Sequence, residues 1–195
     1  TGGSSNIADA NNSFIGGGTL NKACGERSAV AGGRLNTALS AFSFIGGGCN
    51  NKAYERSTVV GGGYCNLASG VRSAVVGGNE NCATANFAFV GADQLNKACG
   101  NNTAVVGGDR NCAIGIQSFV GGGYNNRAYG NNTAVVGGYY NLVIGNFTTV
   151  GGGYMNCALG ISSFIGGGQS NCTISNCAAV VGGTQNCVLG TETFI

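Results

Sequence analysis

Histidine, proline and tryptophan are absent from this chain, and methionine occurs once. Without histidine it lacks the side chain that most often serves as a general base near neutral pH and as a metal ligand. Its seven Asp or Glu are scattered along 195 residues, so no carboxylate pair offers acid–base chemistry. The expectation is a protein that is not an enzyme and uses no cofactor. Charge is scarce as well. Nine Lys or Arg against seven Asp or Glu leave a net +2, and only Glu192 lies beyond Arg127. That balance carries no electrostatic footprint for nucleic acid. No apolar run has the length of a membrane-spanning helix, so membrane insertion of this segment is not expected. No secretory leader is recognisable either; the chain begins at Thr1 inside a repeat and stops at Ile195 inside another, so residues 1–195 read as a single repeat domain and a fragment of a longer fibrous protein.

What fills the sequence instead is glycine, 39 residues of it, and asparagine at a fixed interval. Asn6, Asn21, Asn36, Asn51, Asn66, Asn81, Asn96, Asn111, Asn126, Asn141, Asn156, Asn171 and Asn186 recur at every fifteenth position without a miss. A strict short period without insertions marks a solenoid, each repeat being one turn that buries its faces only against its neighbours. A row such as SFVGGGYNNRAYGNN, residues 118–132, holds two short stretches that alternate with period two, each followed by glycines or a polar pair. The fold class is therefore all-β: a parallel β-solenoid, or β-roll, of thirteen coils, one per fifteen-residue row, with two strands and two turns per coil. At about 4.8 Å per coil, thirteen coils make a rod roughly 60 Å long.

The asparagine column is expected to be a structural ladder, each side-chain amide bonding the one above and the turn backbone. The glycine column that follows the first strand, as at Gly17, Gly32 and Gly47 with Ala92 the exception, is read as a backbone at φ > 0 or in close approach to another backbone. The GGG runs resemble phosphate loops but recur without a following helix or lysine, and belong to the coil.

Two columns on the first strand exchange size. Phe14, Phe44, Phe89, Phe119 and Phe164 are followed at the second position by Gly16, Gly46, Gly91, Gly121 and Gly166. Ala74, Ala104, Ala134 and Ala179 are followed by Val76, Val106, Val136 and Val181. Residues two apart on a strand share a side, so the exchange keeps local volume nearly constant, as a packed surface requires. The other side of the same strand is Val or Ile in every row. A strand apolar on both faces needs both faces covered. The Val/Ile column and the column of Ala8 are expected to fill the coil. The Phe side, with Phe14, Phe44, Phe89, Phe119, Phe164 and Phe194, is expected to be an oligomer seam with side-by-side packing of chains. One Val or Ile per coil contributes about 1.5–3 kcal/mol against about 1–2 kcal/mol of lost backbone entropy per residue, so a lone stack is thin and an obligate homo-oligomer is anticipated. The seam phenylalanines also obey a longer period of five rows, which LNKACG at 20–25 and 95–100 shares; duplication of a five-coil block is the expectation, and a partner site every five coils, about 24 Å apart, the alternative.

The unit SAVVGGxxNxAxG resembles the head repeats of trimeric autotransporter adhesins of the YadA type, whose motif is an SVAIG-like strand, a short turn, a small residue and AxG. Ser13, Gly17, Ala23 and Gly25 match in order, and the resemblance runs through all rows. This chain has one residue more per repeat than the commonest form and bulky Phe where a smaller aliphatic residue is usual. The resemblance implies a left-handed parallel β-roll, three chains side by side, and display on a cell surface, with a virion fibre equally compatible. The functional expectation is a structural or adhesive fibre segment, a rigid extracellular rod or head that meets a host-surface receptor or matrix ligand. A self-assembling filament grown laterally or end to end and an ice-binding solenoid with an array of threonines are the alternatives.

Ten cysteines include five in the column after the asparagine: Cys82, Cys112, Cys157, Cys172 and Cys187. Free thiols are the expectation, and a bridge or interchain link within 157, 172 and 187 the alternative. Metal binding is disfavoured, with no histidine and no close CxxC pair. Sequons at Asn11, Asn101, Asn131 and Asn146 fall in one turn column, where two structural preferences create the motif; Asn171 belongs to the ladder.

Overall fold

The computed structural model describes residues 3–195, which divide into two compact units, Thr1–Asn96 and Lys97–Ile195. In the first unit the strands Phe14–Ile15, Ala29–Val30, Phe44–Ile45, Val59–Val60, Ala74–Val75 and Phe89–Val90 pair in parallel, each in register with its equivalent one coil on. A second parallel ladder joins Ile7–Ala8, Lys22–Ala23, Thr37–Ala38, Lys52–Ala53, Leu67–Ala68 and Cys82–Ala83. The second unit repeats the plan. Ala104–Val105, Phe119–Val120, Ala134–Val135, Thr149–Val150, Phe164–Ile165 and Ala179–Val180 form one ladder. Lys97–Ala98, Cys112–Ala113, Arg127–Ala128, Leu142–Val143, Cys157–Ala158, Cys172–Thr173 and Cys187–Val188 form the other. The chain is thus an all-β parallel β-solenoid with two short strands per coil, in general form like YadA-type head repeats.

A third ladder has no strand of its own. Single parallel bridges link Ser4, Thr19, Arg34, Cys49, Tyr64, Asn79 and Gln94 in the first unit, and Asp109, Tyr124, Tyr139, Tyr154, Gln169 and Thr184 in the second. Each bridging residue sits between two positive-φ neighbours, such as Gly63 at φ 92 and Cys65 at φ 55 around Tyr64. One residue of extended chain between two corners leaves no period-two pattern to read, which is why only two strands per coil were legible.

The corners are left-handed. One αL column runs through Leu20, Leu35, Tyr140 and Met155, and another through Arg27, Phe42, Phe87 and Phe147. Left-handed backbone costs an ordinary L-residue roughly 1–2 kcal/mol, yet bulky side chains stand there in coil after coil. The compensation lies in the direction of the amide. Strand and bridge residues donate to the following coil, as Phe14 N–H does to Ser28 O at 2.9 Å, whereas Leu20 N–H donates back to Ser4 O at 3.0 Å and Phe42 N–H to Glu26 O at 2.9 Å. The αL turn swings the N–H toward the preceding coil, so a donor that a buried turn would orphan is satisfied.

The interior holds four columns. Val60, Val75 and their equivalents from Ile15 to Val180, together with Ala53, Ala68 and theirs from Ala23 to Val188, are buried, as the sequence predicts, while Ala8 and Ile195 in the end coils are exposed because no further coil covers them. The asparagines are buried beside them. So are Ser28, Ser43, Thr58, Thr103, Thr133 and Thr148, because they lie two residues before the Val/Ile column and share its side. Most of their hydroxyls tie the corner by donating to the carbonyl three residues back, Thr58 to Glu55 O at 2.6 Å and Thr133 to Gly130 O at 2.7 Å, while Ser28 Oγ accepts from Gly25 N–H at 3.2 Å and Thr148 donates to Gly160 O at 2.8 Å. The threonine array that an ice-binding face would need therefore points into the coil.

The glycine reading holds for backbone sign at Gly47, Gly122 and Gly152, whose φ is 156, 157 and 158, and otherwise shifts by one residue. A β-carbon at Gly32, Gly137 or Gly167 would meet nothing within 4 Å, which explains why Ala92 is tolerated in that column. The steric demand falls on the next glycine. A β-carbon at Gly18, where φ is +88, would lie 2.0 Å from Gly33 O and 2.7 Å from Asn21 Nδ2. Only Asp93, at φ 65, replaces glycine there.

Candidate functional site

The inner ladder asparagines repeat one set of bonds, with Ala92 O in place of a glycine carbonyl at Asn96. Asn36 Oδ1 accepts from the backbone N–H of Asn51 at 2.9 Å, and its Nδ2 donates to Gly32 O and Gly48 O, both at 3.0 Å. In the second unit Asn126 accepts from Asn141 N–H at 3.0 Å and donates to Gly122 O at 2.8 Å and Gly138 O at 2.7 Å. The link between coils is therefore amide oxygen to backbone N–H, not amide to amide as the sequence reading expects. The reason is that both N–H groups of Nδ2 are engaged by the two glycine carbonyls. Asn141 and Asn171 also bring Nδ2 within reach of the preceding Oδ1, at 3.1 and 3.2 Å. Buried and saturated in this way, the column has no amide left over for a ligand.

The phenylalanine column lies on the outside of the Val/Ile ladder. In the first unit Phe14, Phe44, Val59, Val76 and Phe89 are exposed; in the second, Val106, Phe119, Val136, Phe164, Val181 and Phe194 are. Exposure of Phe44, at 41%, is typical of the column. The size exchange has a local cause. The Phe rings reach over the glycine that follows at the second position, so that a β-carbon at Gly46 would sit 3.6 Å from Phe44 Cε1, and one at Gly121 would sit 3.3 Å from Phe119 Cε1. The backbone takes part too, since the same added atom would lie 2.2 Å from the carbonyl oxygen of Gly61 or Val136. A ring laid across bare backbone in one row and a Val beside an Ala in another give an apolar face of even height.

All ten cysteines carry free thiols. Cys157, Cys172 and Cys187 occupy adjacent in-register strands. Burial, reinforced by the flanking thiols of Cys157 and Cys187, pushes Cys172 up to about 11. Burial also raises Cys157 and Cys112. Among the described residues no group of three or more His, Cys, Asp or Glu is arranged to hold a metal ion, and no helix is long and apolar enough to cross a membrane. Of the sequons, Thr103, Thr133 and Thr148 are buried, and Asn171 lies wholly inside the coil.

Sequence reasoning missed the outer aromatic groups although they keep the row period: Arg27 with Phe42, Arg72 with Phe87, and Tyr124 with Tyr139 and Tyr154 each share a column, which shows an outer group only once the direction of its side chains is known. In the first unit the guanidinium groups of Arg27 and Arg56 each lie 5.5 Å from the centre of the Phe42 ring, and Arg72 lies 5.5 Å from that of Phe87. In the second unit Tyr124, Tyr139 and Tyr154 follow one another on the bridge ladder. Tyr124 and Tyr139 stack with centroids 5.6 Å apart, and Tyr140 meets Tyr124 edge-on at 5.3 Å. Arg110 Nη1 donates to Tyr124 Oη at 3.2 Å and pairs with Asp109 Oδ2 at 2.9 Å. The available signal was the YYNL segment at 139–142, which places two phenols side by side at an outer corner. No protein-family model and no curated protein matches the chain.

Proposed function

We propose that this chain is a structural segment of a surface-displayed fibre, its copies packed side by side through the phenylalanine face, with a non-catalytic, adhesive role. The observation that carries the reading is the stripe of exposed Phe and Val on a strand whose other side is already the buried core. Monomeric proteins rarely leave a contiguous apolar patch of this kind in water. With Phe44 41% exposed, covering such a ring removes somewhat under half of the roughly 150–250 Å² it can bury, about 1.5–2.5 kcal/mol at 25 cal/mol per Å². A second copy is the natural cover, because a regular stripe fits its own repeat. The likeness of the row to YadA-type head repeats supports three chains and display outside the cell or on a virion. Absence of histidine and the scatter of carboxylates support a non-catalytic role.

Light scattering on the soluble particle tests this, with a Phe44→Asp, Phe119→Asp double variant alongside. A discrete threefold mass that collapses in the variant is the expected result. Mass that grows without limit as concentration rises would instead identify the self-assembling filament. A monomer at every concentration would overturn the assembly.

A further inference from the structure

We propose that the tyrosine ladder of the second unit, Tyr124, Tyr139 and Tyr154 with Asn125 and Arg127 beside it, is a binding site for a neutral polysaccharide. Tyr139, Tyr140 and Tyr154 are 55%, 46% and 45% exposed, far more than phenols that merely fill a surface crevice need to be. The rings belong to consecutive coils: Tyr139 stacks on Tyr124 with centroids 5.6 Å apart and Arg110 lies over Tyr124 at 5.7 Å, so the rings left open to a ligand are those of Tyr139, Tyr140 and Tyr154. A polysaccharide is the ligand with the matching form: a stiff chain of rings, each with an apolar C–H face to lay on an aromatic ring and hydroxyls around its rim. Groups for those hydroxyls border the ladder. An open depression of about 270 Å³ is lined by Asn125, Arg127, Tyr140, Asn141 and Leu142, which mixes amide, guanidinium and phenol around an apolar floor.

Two features disfavour other polymers. An extended peptide adding to a sheet needs unpaired backbone, and here none is free: Tyr124, Tyr139 and Tyr154 N–H donate to Gly138, Gly153 and Gly168 O, while Tyr124, Tyr139 and Tyr154 O accept from Tyr140, Met155 and Ser170 N–H. Single-stranded nucleic acid also stacks on tyrosine, but it requires a positive groove along its phosphates. Arg110 is paired with Asp109, which leaves Arg127 alone beside the ladder, with no cation beyond it in the sequence, and a single guanidinium makes no track for a row of phosphates. The chemistry left is that of an uncharged, ring-stacking, polyhydroxylated chain. Tyr64 stands in the same column of the first unit between Cys49 and Asn79, without a second ring beside it, and serves as the control.

This inference names the ligand class for the adhesive role proposed above and rests on that role for its meaning; particle mass tests assembly and glycan titration tests the ladder, so either can fail alone. The chain has no tryptophan, and four of its seven tyrosines lie at the site, so tyrosine emission reports it directly. Cellohexaose, chitohexaose and mannohexaose are titrated against the whole chain by fluorescence and calorimetry, with oligodeoxythymidylate and heparin as charged contrasts. Saturable binding of at least one neutral probe is expected, weakened at least tenfold in Tyr139→Ala and in Tyr154→Ala and retained within about twofold in Tyr139→Phe and Tyr64→Ala. Circular dichroism establishes that the alanine variants fold. Failure of all three neutral probes to bind would overturn the proposal, as would binding indifferent to both alanine substitutions or tighter binding of either charged polymer.

Discussion

The two units share an interior and differ outside. Val60 and Val135, Ala53 and Ala128, Asn51 and Asn126 occupy equivalent buried places, with asparagine bonds that agree to a few tenths of an ångström. On the outer corners the first unit carries guanidinium groups over Phe42 and Phe87, and its open depression of about 360 Å³ is lined by Lys52, Glu80, Cys65 and Cys82. The second unit carries stacked phenols and, at Cys157, Cys172 and Cys187, a run of thiols in the column where the first has Lys22, Thr37, Lys52, Leu67 and a single thiol, Cys82. A coil this short has room for only one kind of interior, because every buried polar group must find its partner one coil away. The corners answer to no such rule and are free to diverge.

The most severe break of that comparison would come from the asparagine ladder. Asn36→Ala and Asn126→Ala each strip one backbone N–H and two glycine carbonyls of their partner, and each should lose about 3–5 kcal/mol in urea denaturation. Equal losses would establish one interior in both units; a loss confined to one would show that the interiors are not equivalent.

The outer corners should respond less, and unequally. Phe42→Ala removes a ring between two guanidinium groups and is expected to destabilise by about 1 kcal/mol. Phe147→Ala, in the same αL column of the second unit and 64% exposed, should fall below that. Thermal melts of the pair would sharpen the contrast, and a larger effect at Phe147 would reverse it.

The thiol run should speak only in alkali. Cys172 is raised from 9.0 to about 11 in the folded chain, so the fold favours its protonated form. That contribution is complete below about pH 9 and is lost as pH climbs toward 11. Partial solvent contact keeps it small. Comparing the stability of wild type and Cys172→Ser between pH 8 and pH 11 should show a shallower alkaline decline in the variant. At pH 8, Cys172 should also alkylate more slowly than an unperturbed thiol; rapid labelling would contradict the raised value.

Much of the interior was legible in the row alignment. Val/Ile in every row, small residues at Ala53 and Ala68, and asparagine without exception all mark places where only one size or one hydrogen-bonding capacity fits. The Ser/Thr column was legible as a column but not as an interior one until its hydroxyls were seen reaching Glu55 O and Gly130 O. The left-handed corners were hidden because Leu20, Phe42 and Tyr140 contradict the glycine and asparagine preference by which such corners are recognised. The tyrosine site was hidden for a different reason. Tyr124, Tyr139 and Tyr154 share one column of consecutive rows, but that column is a single bridging residue between two corners, and no pattern along the chain tells which way its side chains point.

By itself, then, the sequence determined the period, the parallel register and the composition of the core, because a strict repeat allows only neighbours in sequence rows to become neighbours in space. Tertiary structure alone decided three things: which way each corner amide turns, which glycine is sterically indispensable, and which outer side chains gather into a surface. Each depends on the distance between atoms of adjacent coils, and that distance exists only once the chain has wound.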